Sequence, residues 1–193
     1  MYLKSFYTKL PSRFAWMVAG WWDDVRFFWY TTDKGPWVFV LIIGLVVATF
    51  GFVMHSVFAH QDERQNLTCL ALNVYFEARG EPRAGQYAVA EVTMNRVASG
   101  LYPNTVCGVV YQKNWDRLRK RYVAAFSWTE LNAVPTPMGG EWQQAWNVAE
   151  AVYYRRQTPA LEGVLFYHAT YIKPAWAIRK QPVARIGKHV FYK

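Results

Sequence analysis

The sequence predicts a mainly α-helical protein with a small β element, in which a transmembrane helix precedes a soluble domain. Three observations lead there. Between Gly35 and Gln61 there is no Asp, Glu, Lys or Arg. From Leu67 to Gln157, apolar residues recur at helical spacing between glycine and proline breaks. There is no internal repeat and no strand–helix alternation, and the closing region offers only short strands such as His189 to Tyr192. Composition sets the outer bounds. Of 193 residues, 53% are hydrophobic and 18% charged, which excludes a disordered chain. Two cysteines exclude a disulfide-dense miniprotein and a zinc site built from four cysteines.

Taken in order, residues 11–30 come first. Phe14, Met17, Val18, Trp21, Val25, Phe28 and Trp29 recur at three- and four-residue spacing, with Arg13, Asp24 and Arg26 elsewhere. This reads as an amphipathic helix in the membrane interface, where tryptophan is favoured. Asp23 and Asp24 interrupt the run, so it is too short to span. Simple anchoring is the plainer role, and a helix at residues 11–30 that binds a protein partner or senses the membrane is the alternative. Trp37 to Ala59 then supplies the roughly 20 apolar residues that a hydrocarbon core of about 30 Å requires. Pro36 suits the first turn, where no intrahelical N–H partner is needed. Lys4, Lys9, Arg13, Arg26 and Lys34 precede the span and only Arg64 closely follows it, which puts the N-terminal side in the cytoplasm. The expected division is a cytoplasmic or interfacial segment (1–35), an anchor (36–59) contacting membrane lipid, and a domain (60–193) outside the cytoplasm. Val57-Phe58-Ala59 also fits a signal-peptidase site, though the long charged segment before it favours a retained anchor.

In the soluble part, Leu67 to Arg79 reads as a helix with Leu70, Val74 and Glu77 on one face and Gly80 as its cap. Pro82 opens a second helix to about Ala98, and Thr105 to Tyr111 forms a short third. Gly139-Gly140 precedes another, from about Trp142 to Gln157. Residues 61–193 carry 17 Lys/Arg against 10 Asp/Glu, a surplus of +7 that suits an anionic partner. No zinc-finger or RNA-binding signature accompanies it, so nucleic acid is not expected as a partner. Arg117, Arg119, Lys120 and Arg121 read as a solvated helix face.

Glu77 carries the strongest chemical signal. A carboxylate facing an apolar interior is paired with a cation or has its pKa raised by desolvation, as a general acid requires. From spacing alone, Glu77 is equally well read as a structural partner of Arg79 or Arg96.

Residues 67–112 contain, in order, EARGEP (77–82), GQ-x-AVAEV (85–92), NRV (95–97) and YPNTVCGVV (102–110). In these motifs and their order the segment resembles the core of the SleB/CwlJ-type cell-wall hydrolases. Phe126-Ser127-Trp128, Phe166-Tyr167-His168, Pro174-Ala-Trp176 and the ending Ile186 to Tyr192 extend the similarity over 67–193. The resemblance implies a goose-lysozyme-like helical domain cleaving the glycan strands of peptidoglycan, with Glu77 as the catalytic acid and no metal or organic cofactor. In its lytic transglycosylase form, the substrate's own C6 hydroxyl is the nucleophile and one carboxylate suffices, whereas ordinary hydrolysis calls for a second. Glu81 is the candidate for that role and for a contact to the glycan, or else caps the helix at Pro82, and as a neighbouring charge it would help hold a proton on Glu77. Ser127, Trp128, Tyr167 and His168 are candidates for contacts to the glycan, by sugar stacking or as cleft walls. Ala125 stands where the family often carries Gln. Asn95 and Arg96 are as readily supports of the catalytic helix as sugar contacts.

Cys69 and Cys107, an even pair outside the cytoplasm, favour a disulfide, with two buried free thiols as the alternative. The rival to an enzyme is a non-catalytic wall-binding or scaffold protein that keeps the fold.

Overall fold

The computed structural model describes residues 12–31, 33–117 and 119–193, without the side chains of 12–19. The chain forms two compact units, Met1–Val57 and Phe58–Lys193. In the first, α1 (Ser12–Thr31) is helical as the spacing predicts. Phe14, Met17 and Val18 lie outside the described side chains, while Trp21, Phe28 and Trp29 are exposed. Lys34 Nζ sits over the Trp29 ring at 4.8 Å. Asp33 Oδ1 accepts from Gly35 N at 3.1 Å, where the next helix begins.

That helix, α2 (Gly35–Ala78), runs for 44 residues without a break. It is long and apolar enough to cross a membrane by length and composition, with mean hydropathy 2.6 over its most apolar stretch and none of that stretch buried. The sequence suggested two helices separated near Ala59. Residues 60–66 contain neither Gly nor Pro, so nothing stops the helix there. Asn66 Nδ2 and Thr68 Oγ1 instead turn back on the carbonyls of Asp62 and Arg64, at 2.8 Å each.

In the second unit, Leu67, Leu70, Ala71, Val74 and Ala78 form the buried face of α2. All of these but Ala78 pack in one core with Ala90 of α3 (Arg83–Ala98), with Val106 and Val110 of α4 (Val106–Val110), and with Val148 and Ala149 of α5 (Gly139–Tyr153). Ala88 and Val92 on α3 meet Leu161, Val164 and Phe191 in a second cluster. α3 therefore buries two sides, which its small alanines permit. The sheet has the order β3-β5-β4, all antiparallel, from Phe166–Ala169, His189–Tyr192 and Pro182–Ile186.

Two local expectations need correction. Arg117, Arg119, Lys120 and Arg121 do not form a helix face. They cover the exposed tip and return strand of a hairpin, β1 (Lys113–Asp116) against β2 (Arg121–Ala124). Asp116 Oδ1 accepts from Arg119 N at 3.0 Å in the turn, and Lys120 takes a left-handed φ of 49°. α5 begins at Gly139 rather than Trp142 and ends at Tyr153, because Arg155 (φ 51°) turns the chain out of the helix.

Asn73, fully buried, joins three elements. Its Nδ2 donates to Thr93 Oγ1 on α3 at 3.1 Å, and its Oδ1 accepts from Trp128 Nε1 at 3.1 Å. Cys69 and Cys107 are bonded through sulfur, with their Cα atoms 5.2 Å apart, which ties α2 to α4.

Candidate active site

Glu77 lies in the last turn of α2, one residue before its end, and opens onto a cleft of about 480 Å³. Arg96 from α3, Ser127 from the short 3-10 turn Ser127–Glu130, and Tyr167 and His168 from β3 line the same cleft. Tyr167 Oη donates to Glu77 Oε2 at 3.3 Å. Burial raises the Glu77 pKa, and the Tyr167 hydrogen bond and the Arg96 charge oppose that rise. Burial and the adjacent carboxylate push the Tyr167 phenol well above its ordinary value, so it stays a donor. Such a carboxyl can give up a proton and then be stabilised as an anion by a hydrogen bond and a nearby positive charge.

Arg96 is held by its own framework. Its Nε donates to Leu165 O at 2.9 Å and its guanidinium lies over Tyr102 and Phe126 at 5.3 and 5.5 Å. Asn95 is occupied by the backbone, donating to Leu161 O and Val164 O at 2.7 and 3.0 Å. Arg79 is engaged by Tyr75, with Nη1 donating to Tyr75 Oη at 3.3 Å and the guanidinium over that ring at 5.2 Å. Of the two cations that sequence offered as partners, Arg96 is the one that acts on Glu77.

The structure separates the other sequence candidates. Ser127, Tyr167 and His168 share the cleft with Glu77, whereas Glu81 and Trp128 are not among its lining residues. Trp128 is 6% exposed, stacks on Phe76 at 4.8 Å and gives its N–H to Asn73, so its face is not offered to a sugar. Glu81 does not cap α3, whose N-cap is Pro82 without a side-chain bond. Its Oε2 instead accepts from Lys188 N at 2.8 Å, joining the end of α2 to the turn before β5.

Residues 80–192 match the model of a family described as Cell Wall Hydrolase. The chain belongs to the cell wall hydrolase family. It is 35% identical over 144 residues to a spore cortex-lytic enzyme of Oceanobacillus iheyensis, covering 72% of this chain and 45% of that protein. It is 30% identical over 126 residues to a spore cortex-lytic enzyme of Bacillus subtilis, covering 65% of this chain and 37% of the other. Among solved structures, it is similar to the catalytic domain of the germination-specific lytic transglycosylase SleB from Bacillus anthracis. There the TM-score is 0.50 and the identity 29%, over 66% of this chain and 93% of that one. The chain spans less than half the length of these two curated relatives. The mainly helical domain with its small sheet is thus a cell wall hydrolase fold. The family match begins just after Glu77 and takes in the other cleft-lining residues from Arg96 to His189.

Trp176 and His189 also line the cleft, although the sequence singles out neither as a site residue. Trp176 lies against Phe166, His168 and Tyr192, with ring centroids at 5.6, 5.7 and 5.5 Å, and lines the cell wall hydrolase cleft. The Pro174-Ala-Trp176 element was its only sequence signal. His189 had only its place in the closing IGKHVFY segment, because nothing local says which way a strand residue points.

Proposed function

We propose that the chain is a membrane-anchored enzyme that cleaves peptidoglycan glycan strands as a lytic transglycosylase, with Glu77 as both acid and base. One observation carries this reading: among the described residues lining the cleft, Glu77 is the only carboxylate. Hydrolysis by either ordinary route uses two positioned carboxyl groups. A single carboxyl suffices when the nucleophile belongs to the substrate. Protonated Glu77 gives its proton to the glycosidic oxygen as the bond from C1 to that oxygen breaks, and the departing sugar leaves as an alcohol. The Glu77 carboxylate then removes the proton of the C6 hydroxyl while that oxygen bonds to C1, which closes a 1,6-anhydro ring on the muramic residue. No water is consumed, and Glu77 ends protonated, as it began. Tyr167 and Arg96 stabilise its anionic form between the two transfers.

The relatives' printed names, spore cortex-lytic enzyme and lytic transglycosylase, point the same way. The helical domain and its helix-borne glutamate are in keeping with the goose-lysozyme-like architecture that the resemblance implies. In this reading 1–35 is cytoplasmic or interfacial, 36–59 is a single-pass anchor in lipid, and 60–193 is the catalytic domain facing the cell wall. The anchor raises the local concentration of the domain at its polymer.

The test is mass spectrometry of muropeptides released from purified sacculi by the full chain and by Glu77→Gln. Anhydro-muramic ends that vanish in the variant support the reading. Reducing ends would make the enzyme a hydrolase, and no release from the wild type would favour a wall-binding scaffold.

A further inference from the structure

His189 lies in β5, the central strand of the sheet, is 8% exposed and lines the cleft with Glu77. Its Nδ1 is shut off from solvent without a partner, and neither ring nitrogen is hydrogen-bonded among the described residues. His168, on the neighbouring strand, is the opposite case. Its Nδ1 meets Ala169 O and its Nε2 meets Tyr192 Oη, both at 2.9 Å, so the protein itself uses both nitrogens. A buried polar atom without a partner is costly and calls for a reason. Burial lowers the His189 pKa, against the pull of Glu81 and with the help of His168, which favours the neutral ring with its one N–H and one lone pair. Rotation about Cβ–Cγ carries Nδ1 to the other ring edge, since this terminal torsion is broad.

The ring's position is fixed from two sides. It stands edge-on to Tyr167 at 5.2 Å and 90°, beside the phenol that donates to Glu77. The turn before it is held by Glu81, which accepts from Lys188 N at 2.8 Å, while Lys188 O accepts from Thr170 N at 2.8 Å. Gly187, at φ 56°, leaves room for the Glu81 carboxylate, which a side chain there would strike.

We propose that His189, positioned by Glu81, is a further substrate-contacting residue whose imidazole hydrogen-bonds a hydroxyl or acetamido group of the sugar bound beside Glu77. This rests on the glycan-cleaving reading and assigns to Glu81 a positioning role in place of a second catalytic carboxylate.

The test uses the full chain in detergent micelles with soluble tetrasaccharide fragments of peptidoglycan, reading KM, kcat and melting temperature. His189→Phe keeps the edge-on ring but loses the hydrogen bond. It is expected to raise KM about 3- to 10-fold, leave kcat within about 2-fold, and melt no lower than wild type. His189→Asn restores a polar atom and recovers part of the KM. Glu81→Gln raises KM in the same direction, and its effect and that of His189→Phe are less than additive when combined. If the phenylalanine perturbs the strand, His189→Ala reads the same KM. An unchanged KM with a raised melting temperature in His189→Phe overturns the proposal and makes the ring structural. A wild-type chain that neither cleaves the fragments nor, as Glu77→Gln, binds them overturns the glycan-cleaving reading and this proposal with it.

Discussion

Replacing Cys69 and Cys107 together by alanine removes a cross-link whose ends are 38 residues apart in sequence. In the chain-entropy account, a closed loop of that length restricts the unfolded chain by about 3.9 kcal/mol at 25 °C. Unfolding entropy of about 2.1 cal/mol/K per residue, applied to Phe58–Lys193, makes each kcal/mol worth about 3.5 °C. The melting temperature of this unit should therefore fall by about 13 °C. Activity measured well below the transition should survive, because the Tyr167 hydrogen bond to Glu77 and the Arg96 charge that acts on it involve neither cysteine. The assay is thermal unfolding of residues 58–193, oxidised and as the double alanine variant, alongside alkylation mass before and after reduction. A drop below about 3 °C would refute the loop argument. Two labels taken up without reductant would refute the bridge itself.

Three further outcomes follow from the site. The Tyr167 bond to Glu77 lowers that carboxyl's pKa, so Tyr167→Phe should raise it and move the alkaline limb of the pH–rate profile to higher pH, and a limb moving to lower pH would contradict the assignment. Because burial raises the folded-state pKa of Glu77, its stabilising contribution is full below the unfolded value and is lost as pH rises through the folded one. Glu77→Gln should therefore be more stable than wild type at pH 7, by about 0.5–2 kcal/mol, with the gap closing towards pH 4, as urea titrations across that range would show. Asn73→Ala strands the Trp128 N–H, so it should cost about 1–3 kcal/mol by the same titration and weaken the wall that carries Ser127.

Much of this arrangement is legible in the sequence because it depends on local patterns. Leu70 and Val74 share a face by helical spacing, and both are fully buried. Glu77 follows on that face within the EARGEP segment, and the structure puts it at the end of α2, open to the cleft. The hairpin is not legible, because Lys113–Asp116 and Arg121–Ala124 contain no buried residue and show no buried alternation for a strand reading to detect. The unbroken α2 is missed for a related reason: a change from apolar to polar composition at residue 60 marks a change of surroundings, whereas only Gly, Pro or a capping arrangement ends a helix.

The sequence by itself determined the uncharged run of membrane length, the helical core around Glu77, and the motifs that place the chain among cell wall hydrolases. Tertiary structure decided which polar side chains meet. It turned Trp128 inward to Asn73, sent the Glu81 carboxylate to Lys188, and left His189 Nδ1, in the cleft of Glu77, without a hydrogen-bond partner among the described residues. The physical reason is that spacing fixes a side chain's direction only relative to its own helix or strand. The partner a polar group finds depends on segments brought together from far along the chain: 55 residues for Trp128 and Asn73, and 107 for Glu81 and Lys188. Such contacts leave no periodic trace in the sequence between them.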